Sequence, residues 1–332
     1  MYSNGLYNGL CENYDVDVVV LRERRILLGE NFHKLFSLVR AIFSSVPLNV
    51  VFHSSGIKSV SKILEDYKYV VVDHIEALGA VSGTRTPYVL ISHNLEYKLS
   101  NDKIRNPALR SIFQLARKLR RYEYKGFAEA AGVISISATE ISEISRYSKN
   151  VIQVLPVFSD RILMKNSADK MRIGFIGPAS WPPNARTVGK LIDDILPNIN
   201  RDFEFVLAGQ GWDDDDFTLP PKTRSIGFVK ETSEFWKNID ILVAPTEQGA
   251  GVNVKICEAL HNGVMVITNT KSANAIYGMK PMPGGLLVAD TDAQLLQTLN
   301  EVSYDQLANY NDEFSSAGIG EKLKRFVESL DD

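Results

Sequence analysis

Apolar runs rich in β-branched residues alternate with helical spacing along almost the whole of this chain, and the series is interrupted once. The first series reads VDVVVL (16–21), LNVVFH (48–53), YVVVDH (69–74), YVLISH (88–93), GVISIS (132–137) and VIQVLP (151–156). Each run is nearly continuous in apolarity and flanked by turn residues, which is how a strand buried on both faces reads. Helical spacing fills the gaps, most clearly at 31–46 and 108–130. Around 157–170 the pattern lapses into VFSDRILMKNSADK, polar and aperiodic. A second series then follows: MRIGFIG (171–177), FEFVLAG (203–209), TRSIGF (223–228), DILVAP (240–245), VMVITN (264–269) and GLLVA (285–289). Helices are predicted between them at 184–198, 231–238, 252–262 and 291–302, with a last one at 316–330. Such alternation, run twice, predicts two doubly wound α/β domains. The boundaries fall at 1–160 and 161–312, with 313–332 as a helix packing back across the interdomain region. A length of 332 residues suits two domains. Ligands of such folds gather at the carboxyl ends of the strands, and a cleft between two of them is a natural site.

Composition removes several classes of function. A net charge of −3 gives no global reason to expect nucleic-acid binding. No apolar run approaches the roughly 20 residues of a membrane span. The N-terminus lacks the basic-then-apolar layout of a secretion signal. Cys11 and Cys257 are far apart, and Cys257 lies within an apolar helical pattern, so it reads as a buried thiol in a reducing, cytoplasmic setting. The chain has no Gly-x-Gly-x-x-Gly fingerprint, P-loop, Gly-x-Ser-x-Gly elbow or paired Cys-x-x-Cys. Those absences lower the oxidoreductase, kinase, hydrolase and zinc readings.

One loop in the second series points to chemistry. DILVAP reads as a strand, TEQGAG as a loop, and helix spacing starts about Val252, with Gly263 in a C-cap position. Gly249 and Gly251 are thus delivered to a helix N-terminus, where backbone N–H groups approach a ligand with no Cβ in the way. Unpaired amides and the helix dipole favour an anion there, such as a phosphate. Lys255 and Glu258 are three apart and share a helix face. At about 1.5 Å per residue, Glu258 lies roughly 10 Å from the glycines, comparable to the span from a diphosphate to a ribose. A carboxylate there accepts both vicinal ribose hydroxyls, while Lys255 offsets phosphate charge. The same spacing is that of a solvent-exposed ion pair worth about 0.3–0.5 kcal/mol. Spacing alone leaves the two readings open.

The segment APTEQGAGVNVKICEALHNGVMVITN resembles the donor-nucleotide segment of retaining GT-B glycosyltransferases, the glycosyl transferases group 1 family. IGFIGPASWPPNARTVGKLIDDILP (173–197) is similar to the opening of that family's C-terminal domain, and GLLVADTDAQLLQTL (285–299) to its late strand and helix. VVVDHIEALG, YVLISHNLEYK and RRYEYKGFAEAAGVISIS resemble its N-terminal half more loosely. The resemblance implies a GT-B fold, two doubly wound Rossmann-like domains facing across a cleft. It implies a metal-independent hexosyltransferase of polysaccharide biosynthesis that uses a nucleotide-diphosphate sugar and retains the anomeric configuration. No cofactor beyond that donor and no metal is expected. The donor would sit on Gly249, Ala250, Gly251, Val252, Lys255 and Glu258, with Gly177, Ser180 and Arg186 lining the phosphate side. The acceptor would be a carbohydrate, a lipid-linked sugar or a protein.

The sequence departs from the family pattern in two places. Members often carry Glu-x7-Glu; Glu258 matches the second glutamate, while Ala250 occupies the first position. Loop amides would replace that side chain around the sugar, or Glu247 would swing in. The loop GPASWPPN has no cation, so Arg186 or Lys255 must meet the diphosphate. In the family a histidine of the N-terminal domain contacts the donor sugar. His93, ending YVLISH, and His74, in a second lip with Asp73 and Glu76, are the two contenders. Glu96 would orient His93 or meet acceptor hydroxyls. The plainer alternatives are a histidine satisfying loop carbonyls and a surface charge.

Other clusters admit plainer readings. Ser135 and Ser137 end VISIS, and Ser137 reads as the cap of the next helix or a donor to the cleft. Asn184 reads as a helix N-cap. The consecutive aspartates of WDDDD (212–216) cannot all converge on a hard cation and read as a solvated loop. ARKLRRYEYKG (116–126) gathers Arg117, Lys118, Arg120, Arg121 and Lys125 on an amphipathic helix. That is a solvated face, or one that meets anionic headgroups in peripheral contact with the inner membrane face. At the front, YSNGLYNGLCENYD, with Gly5 and Gly9, reads as the glycine loop that follows a first strand, and the strand itself is missing. With Ala250 and the cation-poor loop, this keeps two rivals open: a non-catalytic nucleotide-sugar or partner-binding subunit, and a sugar-nucleotide epimerase.

Overall fold

A computed structural model of the chain describes residues 2–19, 61–103, 115–158, 170–213, 219–245, 251–303, 312–316 and 318–331. It divides into two compact units, one of Met1–Gly9 with Leu155–Ile319 and one of Leu10–Val154 with Gly320–Asp332. The predicted strand at 48–53, the helix at 31–46 and the first part of the helix at 108–130 lie outside the described residues.

The first described element corrects the expected glycine loop. α1 (Tyr2–Cys11) is a helix. Leu6 and Leu10, four apart, are both buried, so the segment has a helical apolar face. Gly5 serves close packing: a Cβ there would come 2.6 Å from Val157 Cγ2. Val16–Val19, the described part of VDVVVL, is irregular, with Val18 and Val19 exposed. Asp15 and Asp17 interleave with these valines, and the Asp17 carboxylate accepts the Tyr67 hydroxyl.

The first sheet follows α2 (Ser61–Leu64). Its strands are β1 (Val70–Asp73), β2 (Tyr88–Ser92), β3 (Gly132–Ser135) and β4 (Val151–Gln153), parallel and in that order. Leu90 stands opposite Val72 on one side and Val133 on the other, all three buried. α3 (Glu96–Lys103), α4 (Leu115–Glu129) and α5 (Ala138–Ile144) are its connecting helices. On α4 the buried stripe runs Leu119, Glu123, Phe127, each 1% exposed or less, so a carboxylate occupies a core position.

The second sheet begins at β5 (Met171–Ile176), followed by α6 (Pro182–Lys190), β6 (Phe203–Ala208), β7 (Thr223–Ser225) and α7 (Thr232–Trp236). Then come β8 (Ile241–Ala244), α8 (Val254–His261), β9 (Met265–Thr268), α9 (Thr270–Tyr277), β10 (Leu286–Val288) and α10 (Asp292–Glu301). Its order is β10-β9-β8-β5-β6-β7, every pairing parallel. Both faces are covered, which is why β8, Ile-Leu-Val-Ala, is inaccessible at every residue. The last helix, α11 (Ile319–Glu328), belongs from Gly320 onward to the unit of the first sheet. There Gly132 lies so close to Phe326 that a Cβ would come 2.6 Å from the ring. Among the described residues no helix is long and apolar enough to cross a membrane.

Candidate functional site

The order of the second sheet reverses between β5 and β8. The chain leaves β5 for β6 and β7 on one side, then returns to β8 on the other. Loops that part in opposite directions leave a crevice at the carboxyl ends of these two strands. The loop after β5 starts at Gly177, whose φ of 147° and nearness to Asn184 exclude a side chain. Gly209, after β6, approaches it so closely that a Cβ would lie 2.3 Å from the Gly177 carbonyl oxygen. The buried Trp212 donates its indole N–H to that same oxygen at 2.6 Å. Trp212 of WDDDD is therefore a support for the Gly177 loop, and Asp214–Asp216 lie outside the described residues.

Across the crevice, Gly249, Ala250 and Glu247 lie outside the described residues, and Gly251 is within them. Its φ of 80° is in the left-handed region that glycine enters without strain. Val252 packs partly buried against the core. α8 starts at Val254, and its N-cap, Asn253, makes no side-chain cap hydrogen bond. Among the described residues no side-chain cap closes off the first-turn amides.

Lys255 and Glu258 share this helix and do not pair. The Lys255 ammonium lies over the Phe175 ring, 4.0 Å from its centroid. Desolvation pulls its pKa down to about 7. Glu258 is 8% exposed and accepts a hydrogen bond from the Thr232 hydroxyl of α7. The alternative of a solvent-exposed Lys–Glu pair is thereby excluded. A half-buried lysine stands at the switch point with an aromatic ring as its neighbour, and among the described residues it pairs with no carboxylate.

The other residues expected on the phosphate side are more dispersed. Ser180 is exposed on the turn before α6, and Arg186 is exposed on that helix. Asn184 is not the N-cap; Trp181 holds that place, and the Asn184 amide donates to the Pro178 carbonyl at 3.0 Å, tying the loop from inside the first turn. Arg186 lines a cavity of about 250 Å³ with Lys190, Pro245, Asn269, Asp290 and Asp292. Lys190 there pairs with Asp292 at 2.8 Å.

In the first sheet the lips of β1 and β2 bring both contending histidines together, with ring centroids 5.6 Å apart. His93 Nε2 is 2.5 Å from Asp73 Oδ1. His74 Nε2 is 3.4 Å from Glu96 Oε1, so Glu96 attends His74, and Asp73 is the residue beside His93. His74 has φ 84°, a left-handed conformation for a residue with a Cβ, costing about 1–3 kcal/mol. Such strain is concentrated where a side chain must be aimed. Ser137 stands at the N-cap of α5 without a cap bond; its hydroxyl is 3.0 Å from that of Thr139. On α4, Arg117, Arg120, Arg121 and Lys125 are exposed.

Sequence reasoning missed Thr232 and Phe175 as the partners of Glu258 and Lys255, since neither bears a motif. It also missed two buried acids, Glu123 and Glu140, although an acid within the apolar stripe of α4 is visible in the sequence. Burial raises the Glu123 carboxyl to about 8 and that of Glu140 to about 7, against the pull of the backbone N–H groups each accepts.

Residues 170–303 match the profile of glycosyl transferases group 1. Among solved structures, TarM of S. aureus aligns with a TM-score of 0.61 at 13% identity, over 84% of this chain and 57% of its own. The chain thus spans little more than half the length of TarM. Anabaena HepE, solved with UDP-glucose, aligns at 0.61 and 14% identity over 82% of both chains. Sucrose-phosphate synthase from Thermosynechococcus elongatus aligns at 0.57 and 12% identity, over 83% of this chain and 79% of its own. The fold is GT-B, and residues 170–303 are similar to glycosyl transferases group 1. No curated protein sequence matches the chain. Within the matched segment, Gly177, Gly251, Lys255 and Glu258 all stand on the β5 and β8 sides of the switch point.

Proposed function

We propose that this GT-B glycosyltransferase moves a hexose from a nucleotide-diphosphate sugar to a hydroxyl of a carbohydrate, lipid-linked or protein acceptor, with retention and without a metal. The observation that carries the reading is Lys255, a desolvated cation at the β5/β8 switch point that pairs with no carboxylate among the described residues. Burying a charge without a counter-charge is costly, and a diphosphate on the uncapped α8 amides would supply one. Glu258, held by Thr232, would take the ribose hydroxyls with its carboxylate. The fixed N–H groups would stabilise charge on the leaving diphosphate. The His74–His93 lip, with Asp73 and Glu96, is assigned to the sugar and the reacting hydroxyl. UDP, bound by HepE, is the first base to try.

The test is a thermal-shift series with UDP-, GDP-, ADP-, CMP- and dTDP-sugars. A ligand at a hundred times its Kd adds about 2.7 kcal/mol to the native state, so one nucleotide class is expected to raise the melting temperature by several degrees. A flat response to all five would remove the donor reading. Thr232→Val leaves the Glu258 carboxylate without its hydroxyl partner. It is expected to weaken binding of the responding nucleotide sugar about three- to tenfold; unchanged affinity in calorimetry would detach Glu258 from the ribose.

A further inference from the structure

The turn between β2 and α3 carries His93 and Glu96, and its backbone is held in an unusual way. The first amides of a helix have no acceptor within the helix, and a neighbouring Ser, Thr, Asp or Asn ordinarily supplies one. Here the acceptors come from two other helices. The Glu96 and Tyr97 amides donate to Glu123 Oε1 and Oε2 of α4 at 2.6 and 3.0 Å. The Leu95 amide donates to Glu140 Oε1 of α5 at 3.2 Å. A third acid, Glu143, accepts the Tyr97 and Tyr124 hydroxyls at 2.7 Å each and pairs with Lys98 at 2.9 Å.

We propose that Glu123 and Glu140 are positioning residues that clamp the amides of Leu95, Glu96 and Tyr97 and thereby fix where His93 and Glu96 stand. The inference rests on reading the His74–His93 lip as the reacting end. A local cap would satisfy the same amides with far less desolvation. Glu123 and Glu140 are 1% and 4% exposed, and Glu140 Oε2 is buried with no hydrogen-bond partner. Burying acids in this way is unfavourable, as their raised pKa values record. What the arrangement adds over a local cap is rigidity: three successive amides are anchored to two separate helices. The His93–Asp73 distance of 2.5 Å and the Glu96–His74 distance of 3.4 Å are both set by where this turn lies. The positive end of α3 faces the same carboxylates, which favours their charged form.

The test uses the full chain and its imidazole 15N signals, each histidine assigned by substitution. The spectra are compared above the raised Glu123 pKa of about 8, where the wild-type carboxylate has an acceptor for each amide. Glu123→Gln keeps the shape but offers one acceptor and one donor, so one amide loses its partner. Glu140→Gln retains an oxygen for Leu95. The signals of His74 and His93 are expected to shift or broaden in Glu123→Gln and to move less in Glu140→Gln. That of His261, which belongs to the other compact unit, stays in place. Unmoved His74 and His93 signals in Glu123→Gln would overturn the proposal, and so would His261 moving with them. Should Glu123→Gln not fold, hydrogen exchange on the wild type decides. The amides of Leu95, Glu96 and Tyr97 are expected to exchange about tenfold slower than those of Ala138 and Thr139, which start a helix without a side-chain cap. Equal rates would refute the clamp. UDP affinity, measured by calorimetry on the same samples, is expected to be equal in wild type and Glu123→Gln. UDP failing to bind the wild type removes the donor reading, while the histidine signals still decide the clamp.

Discussion

Lys255→Met is expected to raise the melting temperature of the nucleotide-free protein and to abolish the further rise expected of the wild type with a nucleotide sugar. Both effects have one origin. The folded protein holds the half-buried Lys255 ammonium over Phe175, and desolvation lowers its pKa from 10.5 to about 7. Between those values the unfolded chain binds the proton and the folded one releases it, so wild-type stability rises with pH across that window. Below pH 7 the folded state carries the whole cost of the buried charge. Methionine removes it and fills the same space over the ring. The cation–π contact offsets part of the cost, leaving a net gain of about 1–2 kcal/mol. The gain is largest below pH 7 and narrows toward pH 10.5.

The nucleotide response has the complementary sign. A diphosphate beside Lys255 restores its proton, so binding takes up a proton above pH 7, and affinity falls by up to about tenfold per pH unit there. A nucleotide sugar is the right probe, because its diphosphate is a diester and does not titrate in this range. Calorimetry at pH 6.5 and 8.5, in buffers of different ionisation enthalpy, reads the proton directly. A variant that is no more stable, or that still responds to the donor, would show that Lys255 is not the anion's partner.

The sheets were legible in the sequence for a physical reason. A parallel strand covered on both faces has no polar side to show, so runs such as DILVAP and VMVITN stand out without any periodicity argument. Where a strand had acidic neighbours, as in VDVVVL with Asp15 and Asp17, the same apolarity misled. α9 was missed because NTKSANAIYG offers only two turns of helical spacing, begun by Asn269 capping Ser272. α1 was missed because its glycines resemble a loop, whereas Gly5 is there for contact with Val157. The site was half legible. Spacing placed Lys255 and Glu258 on one helix face, but spacing gives only axial distance. That the two side chains diverge, one to Phe175 and one to Thr232, is a tertiary fact with no local signature. The Glu123–Glu140 clamp is of the same kind, since its acceptors lie 27 and 45 residues from the amides they hold.

Asp240→Ala is expected to be the most destabilising of these changes, at about 3–5 kcal/mol. Asp240 is 3% exposed and receives the Arg172 backbone amide at 2.9 Å, its Nε at 3.1 Å and its Nη2 at 2.5 Å. Arg172 Nη1 also donates to the Lys237 carbonyl at 3.1 Å. The pair therefore sits at the start of both β5 and β8, at the opposite end of the seam from Gly177 and Lys255. That seam is short: β5 and β8 pair only through Ile173–Ile241 and Gly174–Leu242, whereas β5 and β6 pair along all six residues of each. Gly174 is needed there because a Cβ would meet Ile239 Cγ2 at 2.4 Å. Removing the carboxylate takes the acceptor from the Arg172 backbone amide, Nε and Nη2, while Nη1 keeps the Lys237 carbonyl. Asp240→Asn keeps one acceptor oxygen and should lose less. Urea unfolding measures both. A loss below about 1 kcal/mol for the alanine variant would place the pair with exposed ion pairs, and the β5/β8 seam would then be held by its apolar contacts alone. Well below its melting temperature the alanine variant should still bind the nucleotide sugar, because Lys255, Gly251 and Glu258 approach the crevice from the far end of the strands.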